Sequence, residues 1–554
     1  MGDGIVVTQY QARFGRRCNS AGAPGGIIHW ILAAAFLLPT AACTVGPDFT
    51  APVAQLADKF RGVNNRSVRS GTLEYQKWWE GFRDPTLNRL IEIAYTQNLT
   101  LLSAGTRVLQ ARAVLGIAIG ITYPQVQQGT GSVIYNRTSA ATPLSGPNAT
   151  PSYFWTDALA AQAAWELDFW GKFRRGVESA DAVYLGSIAS YDGVLVSLLG
   201  DVTATYIGIR TIEQLIAIAR DNVRRQEQAL SIAKAKFQGG GTSELDVFQA
   251  TNVLEQTRAA IPQLTIQLQQ GENALCVLLG VPPQSLGMLL SRSAGRIPSP
   301  PRTIVVGIPA DLLRRRPDVR AAELAALAQS AQIGVALTQL YPAISITGTF
   351  GGTASTANGH TLSEVVNWKG VAYAAGPSFQ WNLLNYGQIT NNVRLQDAKL
   401  QQLLVDYQNT VLSAQQEVDN GLVTYLQSLN QAAFLRRSVQ AANGALRIAM
   451  EQYEQGATSF TTVLTAEQNL LQAQNSLAGA SASVPLGLTA VFRALGGGWQ
   501  IRVDGNFVTA ATLKQMRART DWGNLLPPAN EPQPLAPGLP GPEDIGPTVR
   551  PPEW

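Results

Sequence analysis

The sequence predicts a mixed α and β membrane protein that is assembled from two copies of one structural unit. Three observations lead to this fold class. Residues recur at a constant spacing in the two halves of the chain, which indicates a repeat. Several segments alternate apolar and polar residues, as half-exposed strands do. Two proline-free stretches are long enough for helices of roughly 100 Å at 1.5 Å per residue. Each unit is predicted to contain a helix, two strands, a very long helix and a shorter helix.

The repeat appears in matched residues that lie 216 positions apart. Trp165 matches Trp381, and 381 − 165 = 216. Upstream, Tyr123 matches Tyr341 at a slightly larger offset, 341 − 123 = 218. Other pairs at 216 are Phe237 with Tyr453, Gly240 with Gly456, Ser243 with Ser459 and Gly280 with Gly496. A constant offset over most of each half indicates an internal duplication.

The N-terminus has the order of a bacterial secretory signal. Three arginines between residues 13 and 17 precede an apolar run at 27–38, which is too short for a comfortable membrane-spanning helix. Small residues follow and lead to Cys43. This order predicts cleavage after residue 42 and lipidation of Cys43 as the first mature residue. The alternative is an ordinary cleaved signal in which Cys43 has no role.

Three segments, 153–167, 344–350 and 371–381, alternate apolar and polar residues with the period of two that strands have. A fourth segment, 125–136, alternates poorly and is predicted to be a strand mainly from its repeat position. Aromatic residues cluster near the strand ends, as in the interfacial girdles of membrane barrels. Four strands cannot close a barrel, and an open edge leaves backbone groups without partners in lipid. The strands therefore predict an oligomer, in which three chains would supply 3 × 4 = 12 strands.

The two proline-free stretches, 172–238 and 388–455, repeat aliphatic residues at three- and four-residue steps. Helices of this length persist only when they pack against neighbours. Each is followed by a glycine turn and a second helix, so each unit contains a helical hairpin whose tip is far from the strands. At the first tip, Ser243 followed by Asp246 predicts a capping box. After Trp499 the helical pattern ends.

The sequence offers little catalytic chemistry. Its two histidines, His29 and His360, lie in the predicted signal and in a predicted external loop, which excludes a histidine triad or a multi-histidine metal site. Glu166 and Asp168 are the most suggestive carboxylate pair, but they lie on the polar side of a predicted strand, which favours a pore wall. The arginine run 314–316 is interpreted as a solvated helix start or, alternatively, as a contact with lipid headgroups or a partner. A net charge of +4 gives no indication of nucleic acid binding.

Six stretches, taken together and in order, resemble the outer membrane factor lipoproteins, the NodT-type, TolC-like exit ducts of tripartite efflux pumps. They are Cys43–Phe49, Trp78-Trp79 with Phe82 and Asp84-Pro85, Trp165–Lys172, Ser243–Val247, Leu312–Val319 and Ala494–Trp499. The resemblance implies a homotrimer with a 12-stranded outer-membrane β-barrel that is continued by a long periplasmic α-helical barrel. It also implies that the protein is not an enzyme and has no cofactor.

The resemblance implies partners as well. A periplasmic adaptor protein joins the duct to an inner-membrane transporter of the resistance-nodulation-division type, and the barrel lies in outer membrane lipid. Small toxic compounds or drugs then pass passively to the exterior. The same type of duct serving type I peptide or protein secretion is an alternative. A lipid-anchored periplasmic coiled-coil scaffold is another, although the alternating strands argue against it.

The resemblance and the composition together divide the chain into six predicted segments. They are a signal peptide at 1–42, a lipidated N-terminal segment with equatorial contacts at 43–84, the first repeat at 85–281, a proline-rich equatorial connection at 282–316, the second repeat at 317–498, and a C-terminal equatorial segment with a disordered proline-rich tail at 499–554.

By similarity, three groups of residues have functions. Cys43 carries the lipid. The hairpin tips contact the adaptor through Gly240, Gly241, Thr242, Ser243, Glu244, Gly456, Ala457, Thr458 and Ser459. A periplasmic gate is expected at Thr461, Thr465 and Gln468. Relatives often carry an acidic and a basic residue just after the second tip, so this neutral set predicts a gate that depends less on salt bridges.

Overall fold

The structure is a computed structural model that describes residues 44–51, 53, 56–57, 59–61, 68–70, 76–139, 152–301, 304–306, 315–357, 361–502 and 506–526. Five features of the sequence analysis lie outside these residues: the signal at 1–42, Cys43, Arg314, His360 and the tail from residue 527 onward.

The described residues form nine α-helices and six strands. The helices are α1 Pro85–Gln97, α2 Leu99–Gly120, α3 Lys172–Gln238, α4 Glu244–Leu278, α5 Gly287–Leu290, α6 Pro317–Thr338, α7 Gln388–Glu454, α8 Phe460–Ala494 and α9 Ala510–Arg519. The strands are β1 Val68–Ser70, β2 Val126–Arg137, β3 Tyr153–Leu167, β4 Ile304–Val306, β5 Ala343–Ser355 and β6 Val371–Gln380.

The two halves of the chain have the same order of elements. Helices α3 and α7 each contain 67 residues, and α4 and α8 each contain 35. The first residues of α3 and α7 are 388 − 172 = 216 positions apart. Glycines with positive φ recur at the same spacing, as in the pairs Gly171 (81°) and Gly387 (83°), Gly240 (72°) and Gly456 (78°), and Gly280 (72°) and Gly496 (66°).

A tryptophan attaches the strands to the helices in the same way in each half. The indole Nε1 of Trp165 donates to the carbonyl oxygen of Thr122 at 3.2 Å, and that of Trp381 donates to Leu340 at 3.0 Å. The acceptors lie just after α2 and α6, and 340 − 122 = 218. Each bond therefore joins the end of a strand to the turn that leads into the neighbouring strand.

Strands β2, β3, β5 and β6 form an antiparallel sheet in that order. One row of paired residues across the sheet is Gln128, Gln162, Thr349 and Ala374, and the next row is Gly129, Ala161, Phe350 and Tyr373. Because successive rows face opposite sides of a sheet, one face is polar and the other is apolar and aromatic. This agrees with the predicted alternation of β3, β5 and β6. Strand β2 forms where its repeat position predicts a strand.

The helices form two further rows of four, in each of which every helix packs against the next. Next to the sheet, the neighbours are α2, α3, α6 and α7, and farther along they are α4, α3, α8 and α7. The long helices α3 and α7 run through both rows. Each row of four therefore has two outer members, which are β2 and β6 in the sheet, α2 and α7 in the first helical row, and α4 and α7 in the second.

Two of the helices, α3 and α8, are long and apolar enough to cross a membrane by length and composition. Core helices pass the same test, and both helices pack along neighbouring helices in the rows described above. We therefore assign the membrane to the strands, whose apolar face requires a nonpolar surrounding.

Additional segments pack around the middle of the helices. Strand β1 pairs in parallel with β4 and so joins the N-terminal part to the connection between the halves. The prediction that no helix follows Trp499 is wrong, because α9 forms there. The side chain of Thr509 accepts the N–H of Thr512 at the start of α9, and Leu513 packs against Leu109 of α2. Such a short helix depends on one cap and one tertiary contact, and its own apolar pattern is too brief to predict it.

The interpretation of the arginine run as a solvated helix start is wrong for Arg316. This side chain is buried, and it donates to the carboxylates of Asp318 (2.6 Å) and Glu417 (2.8 Å) and to the carbonyl oxygen of Ala494 (2.7 Å). A buried charge is stable only when it is paired and hydrogen-bonded. Arg316 therefore joins the start of α6 to α7 and α8.

Two glycines offer a test of the close packing at the helix junctions. Gly280 has a φ of 72°, and a Cβ atom there would overlap the carbonyl oxygen of Gln97. Gly240 has the same φ with no atom within 4 Å. Alanine costs about 1–2 kcal/mol at either position because of its left-handed backbone. We expect Gly280→Ala to lower the unfolding temperature of the detergent-extracted protein clearly more than Gly240→Ala. Equal losses would show that the junction is not closely packed.

Candidate functional site: the hairpin tips and the exposed face of α8

The two hairpin tips have the same turn. At the first tip, the N–H of Gly241 donates to the carbonyl oxygen of Lys236 at 2.8 Å, and at the second, the N–H of Ala457 donates to Gln452 at 2.8 Å. The glycine before each donor has a positive φ. This arrangement satisfies the last carbonyl groups of α3 and α7 and reverses the chain direction.

The predicted adaptor-contact residues occupy these two turns. Seven of them are exposed, namely Gly240, Gly241, Ser243, Glu244, Gly456, Ala457 and Ser459, and two are half-buried, Thr242 and Thr458. A protein that approaches the tips along the helix axis would meet these residues first. Their contact with an adaptor stays a prediction.

Asp246 does not complete the predicted capping box. Ser243 is the residue that precedes α4, but its side chain makes no capping hydrogen bond. The Asp246 carboxylate instead accepts hydrogen bonds from the hydroxyls of Thr242 and Tyr453, the latter at 3.1 Å. Burial, together with the Asp246 carboxylate, raises the pKa of Tyr453, which keeps the hydroxyl protonated and able to donate. Since Tyr453 lies in the last turn of α7, this bond joins the two hairpins directly at their tips.

The link between Asp246 and Tyr453 rests on a buried cluster. The Lys236 ammonium lies 4.7 Å from the centre of the Tyr453 ring, and the Phe460 ring meets the same ring edge-on at 5.3 Å. The buried residues around them are Ala229, Ala233, Ala250, Leu446, Ala449, Val463 and Leu470. The sequence contained one signal for this link, since Tyr453 has a hydroxyl that its repeat counterpart, Phe237, lacks.

The predicted gate residues lie together on one exposed face of α8. Thr461, Thr465 and Gln468 are spaced so that they follow one another along a helix, and all three are exposed. The Thr465 hydroxyl donates to the carbonyl oxygen of Thr461 at 2.9 Å, within the same helix. The other exposed residues of this helix up to position 479 are Thr462, Asn469, Gln472, Asn475 and Gly479. All the exposed side chains of α8 between 461 and 479 are therefore uncharged.

Glu467 lies on the opposite, buried side of the same helix. Its side chain is only 4% exposed, and burial raises its pKa to about 7. A carboxylate loses hydration when it is buried, so the neutral acid is favoured there. Glu467 is not among the predicted gate residues, although Thr465 and Gln468 beside it are, because sequence position does not show which side of the helix is covered.

The two carboxylates considered as a catalytic pair have separate partners. Glu166 forms an ion pair with the Lys172 ammonium at 2.9 Å. Asp168 accepts the backbone N–H groups of Phe173 (3.1 Å) and Arg174 (2.9 Å) in the first turn of α3. Both therefore fix the junction between β3 and α3, with Asp168 at the positive end of the helix dipole.

The family of the chain follows from comparison with known proteins. A family model described as "Outer membrane efflux protein" matches residues 90–281 and 308–497. The chain belongs to the outer membrane efflux protein family. The two matched blocks correspond to the two halves of the structure, so this family model aligns once with each half.

Individual relatives agree with this assignment. Nodulation protein T of Rhizobium leguminosarum bv. viciae is 30% identical over 455 residues, which cover 82% of this chain and 90% of the relative. The pyoverdine export outer membrane protein OpmQ of Pseudomonas putida is 30% identical over 456 residues, covering 81% and 94%. The solved structure of the outer-membrane channel OprN is 31% identical, covers 83% of this chain and 100% of that chain, and superimposes with a TM-score of 0.77.

These findings confirm the predicted family resemblance. They also confirm that the protein is an outer membrane efflux channel that extends into the periplasm. The hairpins, whose tips are far from the strands, are the part of this efflux protein that projects away from the membrane.

The raised pKa of Glu467 predicts a dependence of stability on pH. The ordinary value for glutamate is 4.5, and in the folded protein it is about 7. Between these values the folded state retains a proton that the unfolded state has released, so stability falls as the pH rises through this window and stays low above it. The difference amounts to roughly 3 kcal/mol at most. We expect Glu467→Gln to remove this loss of stability. The variant should therefore exceed the wild type in stability by more at pH 8 than at pH 5.

The measurement is the unfolding temperature of the detergent-extracted protein at both pH values. Glu454→Gln provides a matched control, because Glu454 is exposed at the end of α7. This control should follow the wild type at both pH values. A Glu467→Gln variant that also follows the wild type would show that burial of this carboxyl costs nothing.

Proposed function

We propose that this efflux protein is the exit duct of a tripartite pump, that it works as a homotrimer, and that it conducts small toxic compounds passively without catalysing a reaction. The observation that carries the proposal is that the strands form one row of four and the helices form two. In each row, the two outer elements have a neighbour within the row on one side only. The two halves of the chain are proposed to be copies of one ancestral unit.

The sheet supports a trimer. Strands β2 and β6 are its edges, and an edge strand in lipid leaves N–H and C=O groups without partners. Pairing of β2 of one protomer with β6 of the next satisfies these groups. Three protomers then supply 12 strands in a closed barrel, which lies within the range known for outer membrane barrels.

The outer helices support the same assembly. Large apolar side chains are exposed along α2, α4 and α7, the three outer helices, and they include Val114, Ile117, Leu245, Phe248, Ile266, Leu395, Val405, Leu412, Phe434 and Ile448. Complete burial of one such side chain contributes about 1.5–3 kcal/mol. Contact of α2 and α4 of one protomer with α7 of the next would cover these residues and close both helical rows in the same rotational direction as the sheet.

The N-terminal residues support a lipid anchor on Cys43. The N–H of Val45 donates to the carbonyl oxygen of Trp170 at 3.1 Å, and the Arg175 guanidinium forms an ion pair with Asp48 at 2.7 Å. These contacts hold residues 44–48 beside the junction of β3 and α3, next to the strands that enter the membrane. A lipid on Cys43 would then be close to the inner leaflet of the outer membrane.

The tips are proposed as the contact with a periplasmic adaptor, which connects the duct to an inner-membrane transporter of the resistance-nodulation-division type. The nine tip residues are accessible in the two turns. The name of the relative OpmQ refers to export of pyoverdine, which supports a small-molecule cargo. The six segment boundaries of the sequence analysis are retained as part of this proposal.

The assembly is tested by the mass of the detergent-extracted protein and by negative-stain imaging. We expect a trimer, with a helical part roughly 100 Å long since 67 residues rise about 1.5 Å each. Ile266→Arg, on the exposed side of α4, should shift the mass toward the monomer. Gln267→Arg adds the same charge at an exposed polar position of α4 that lies about 100° around the helix from Ile266, and it should leave the trimer intact. A monomeric wild type would refute the duct.

The gate is tested through the bond between Asp246 and Tyr453. Tyr453→Phe removes the hydroxyl and keeps the ring, and a hydrogen bond to a charged group contributes about 1.5–3 kcal/mol. Loss of this bond should loosen the tips, so we expect a several-fold higher conductance in planar lipid bilayers. Tyr425→Phe is the control, since the Tyr425 hydroxyl donates to Pro301 in the middle of the molecule. Equal conductance of Tyr453→Phe and the wild type would show that the bond does not hold the gate.

A further inference from the structure

The exposed face of α8 consists of hydroxyl and amide side chains over several helical turns. Thr461, Thr465, Gln468, Gln472 and Asn475 follow one another along it. The only ionisable residue of α8 before Arg493 is Glu467, on the buried side. Neutral polar side chains bind water and solutes of either charge through weak hydrogen bonds.

The other three helices of the same row are different. Exposed charged residues lie on α3 (Arg224 and Glu227), on α4 (Glu255 and Arg258) and on α7 (Arg436, Arg437 and Arg447). The absence of charge on α8 is therefore not a property of the whole helical part. It is specific to the helix that carries the predicted gate.

The polar face of the sheet has the same character. The row Gln128, Gln162 and Thr349 is typical, and the face continues with serine, threonine and alanine in β5 and β6. Within the four strands, Glu166 is the one ionisable residue on this face, and its charge is balanced by the Lys172 ammonium at 2.9 Å. Two separate parts of the proposed duct are thus polar and almost uncharged.

From these two surfaces we infer that the lumen of this efflux protein is electrically neutral at the barrel and at the gate, and that it conducts solutes with little preference for the sign of their charge. This inference rests on the proposed trimeric duct and deepens it. The cargo class then includes anionic and uncharged small molecules as well as cations. Ion selectivity in pores comes from rings of charged side chains or from carbonyl ligands that replace hydration. In a trimer, Thr465 and Gln468 would form rings that hydrate every solute and attract none strongly.

The experiment is the reversal potential of purified trimers in planar lipid bilayers under a KCl gradient. We expect the permeability ratio of K⁺ to Cl⁻ to lie within about a factor of two of unity. Gln468→Glu puts three carboxylates into the proposed ring with almost no change in shape. It should raise the ratio several-fold, and the increase should shrink at high salt because salt screens exposed charges.

Gln440→Glu is the matched control. Gln440 is exposed on α7 among the arginines at 436 and 437, outside the neutral face, so the same substitution there should leave the ratio unchanged. A wild-type channel that strongly prefers cations would overturn the inference about the neutral lumen but would not contradict the proposed duct. An unchanged ratio in Gln468→Glu, or equal increases in both variants, would also overturn it, since the α8 face would then not set selectivity. A protein that forms no conducting trimer would refute the proposed function itself.

Discussion

The backbone N–H and C=O groups at the edge of a sheet need hydrogen-bond partners, and the surrounding lipid offers none. The rest of this structure depends on that requirement. The sheet of one chain ends at β2 and β6, and no side chain can compensate for a whole row of unpaired N–H and C=O groups. The proposed trimer meets this requirement by pairing β2 of one protomer with β6 of the next. The helices obey the same geometry, since each helical row continues the strand order and ends at α7 on one side.

Close contacts between helices depend on glycine at a few positions. At Gly421, a Cβ atom would lie 3.0 Å from the backbone nitrogen of Val491, and at Gly487 it would lie 2.8 Å from that of Tyr425. Larger side chains at these positions would push α7 and α8 apart. The helices of this pair can therefore approach nearly to backbone contact near the middle of the molecule, while larger residues such as Tyr453 and Phe460 separate them at the tips.

The sequence alone predicts the structural elements whose residues repeat or alternate along the chain. The period of two located β3, β5 and β6, the repeat position located β2, and the proline-free stretches located α3 and α7 to within one residue. These signals are local or are carried by many residues at once. The family also followed from short motifs in a fixed order, since the outer membrane efflux protein family matches both halves.

The tertiary partners of single residues could not be predicted in this way. Asp246 was expected to cap its own helix, but the hydroxyl of Tyr453, 207 positions away, competes for the carboxylate. Arg316 was expected to be solvated, yet its partner Glu417 lies 101 positions away. The first pairing requires the two halves to be folded against each other, and the second requires the start of α6 to pack against α7 within the second half. A charged or polar residue next to a tip or a helix start is therefore ambiguous in sequence, because local and distant partners satisfy the same hydrogen bonds.

Glu467 lies behind the neutral face of α8, on the buried side of the helix. A carboxylate on the exposed side would add one charge per protomer to a ring at the gate, whereas on the buried side the rise of its pKa to about 7 partly removes that charge near neutral pH. The helix thus combines an uncharged outer surface with an acid that is costly to bury when ionised. Because burial of an ionised carboxylate weakens packing against neighbouring helices, the tip should be held less firmly on the alkaline side of pH 7 than on the acidic side.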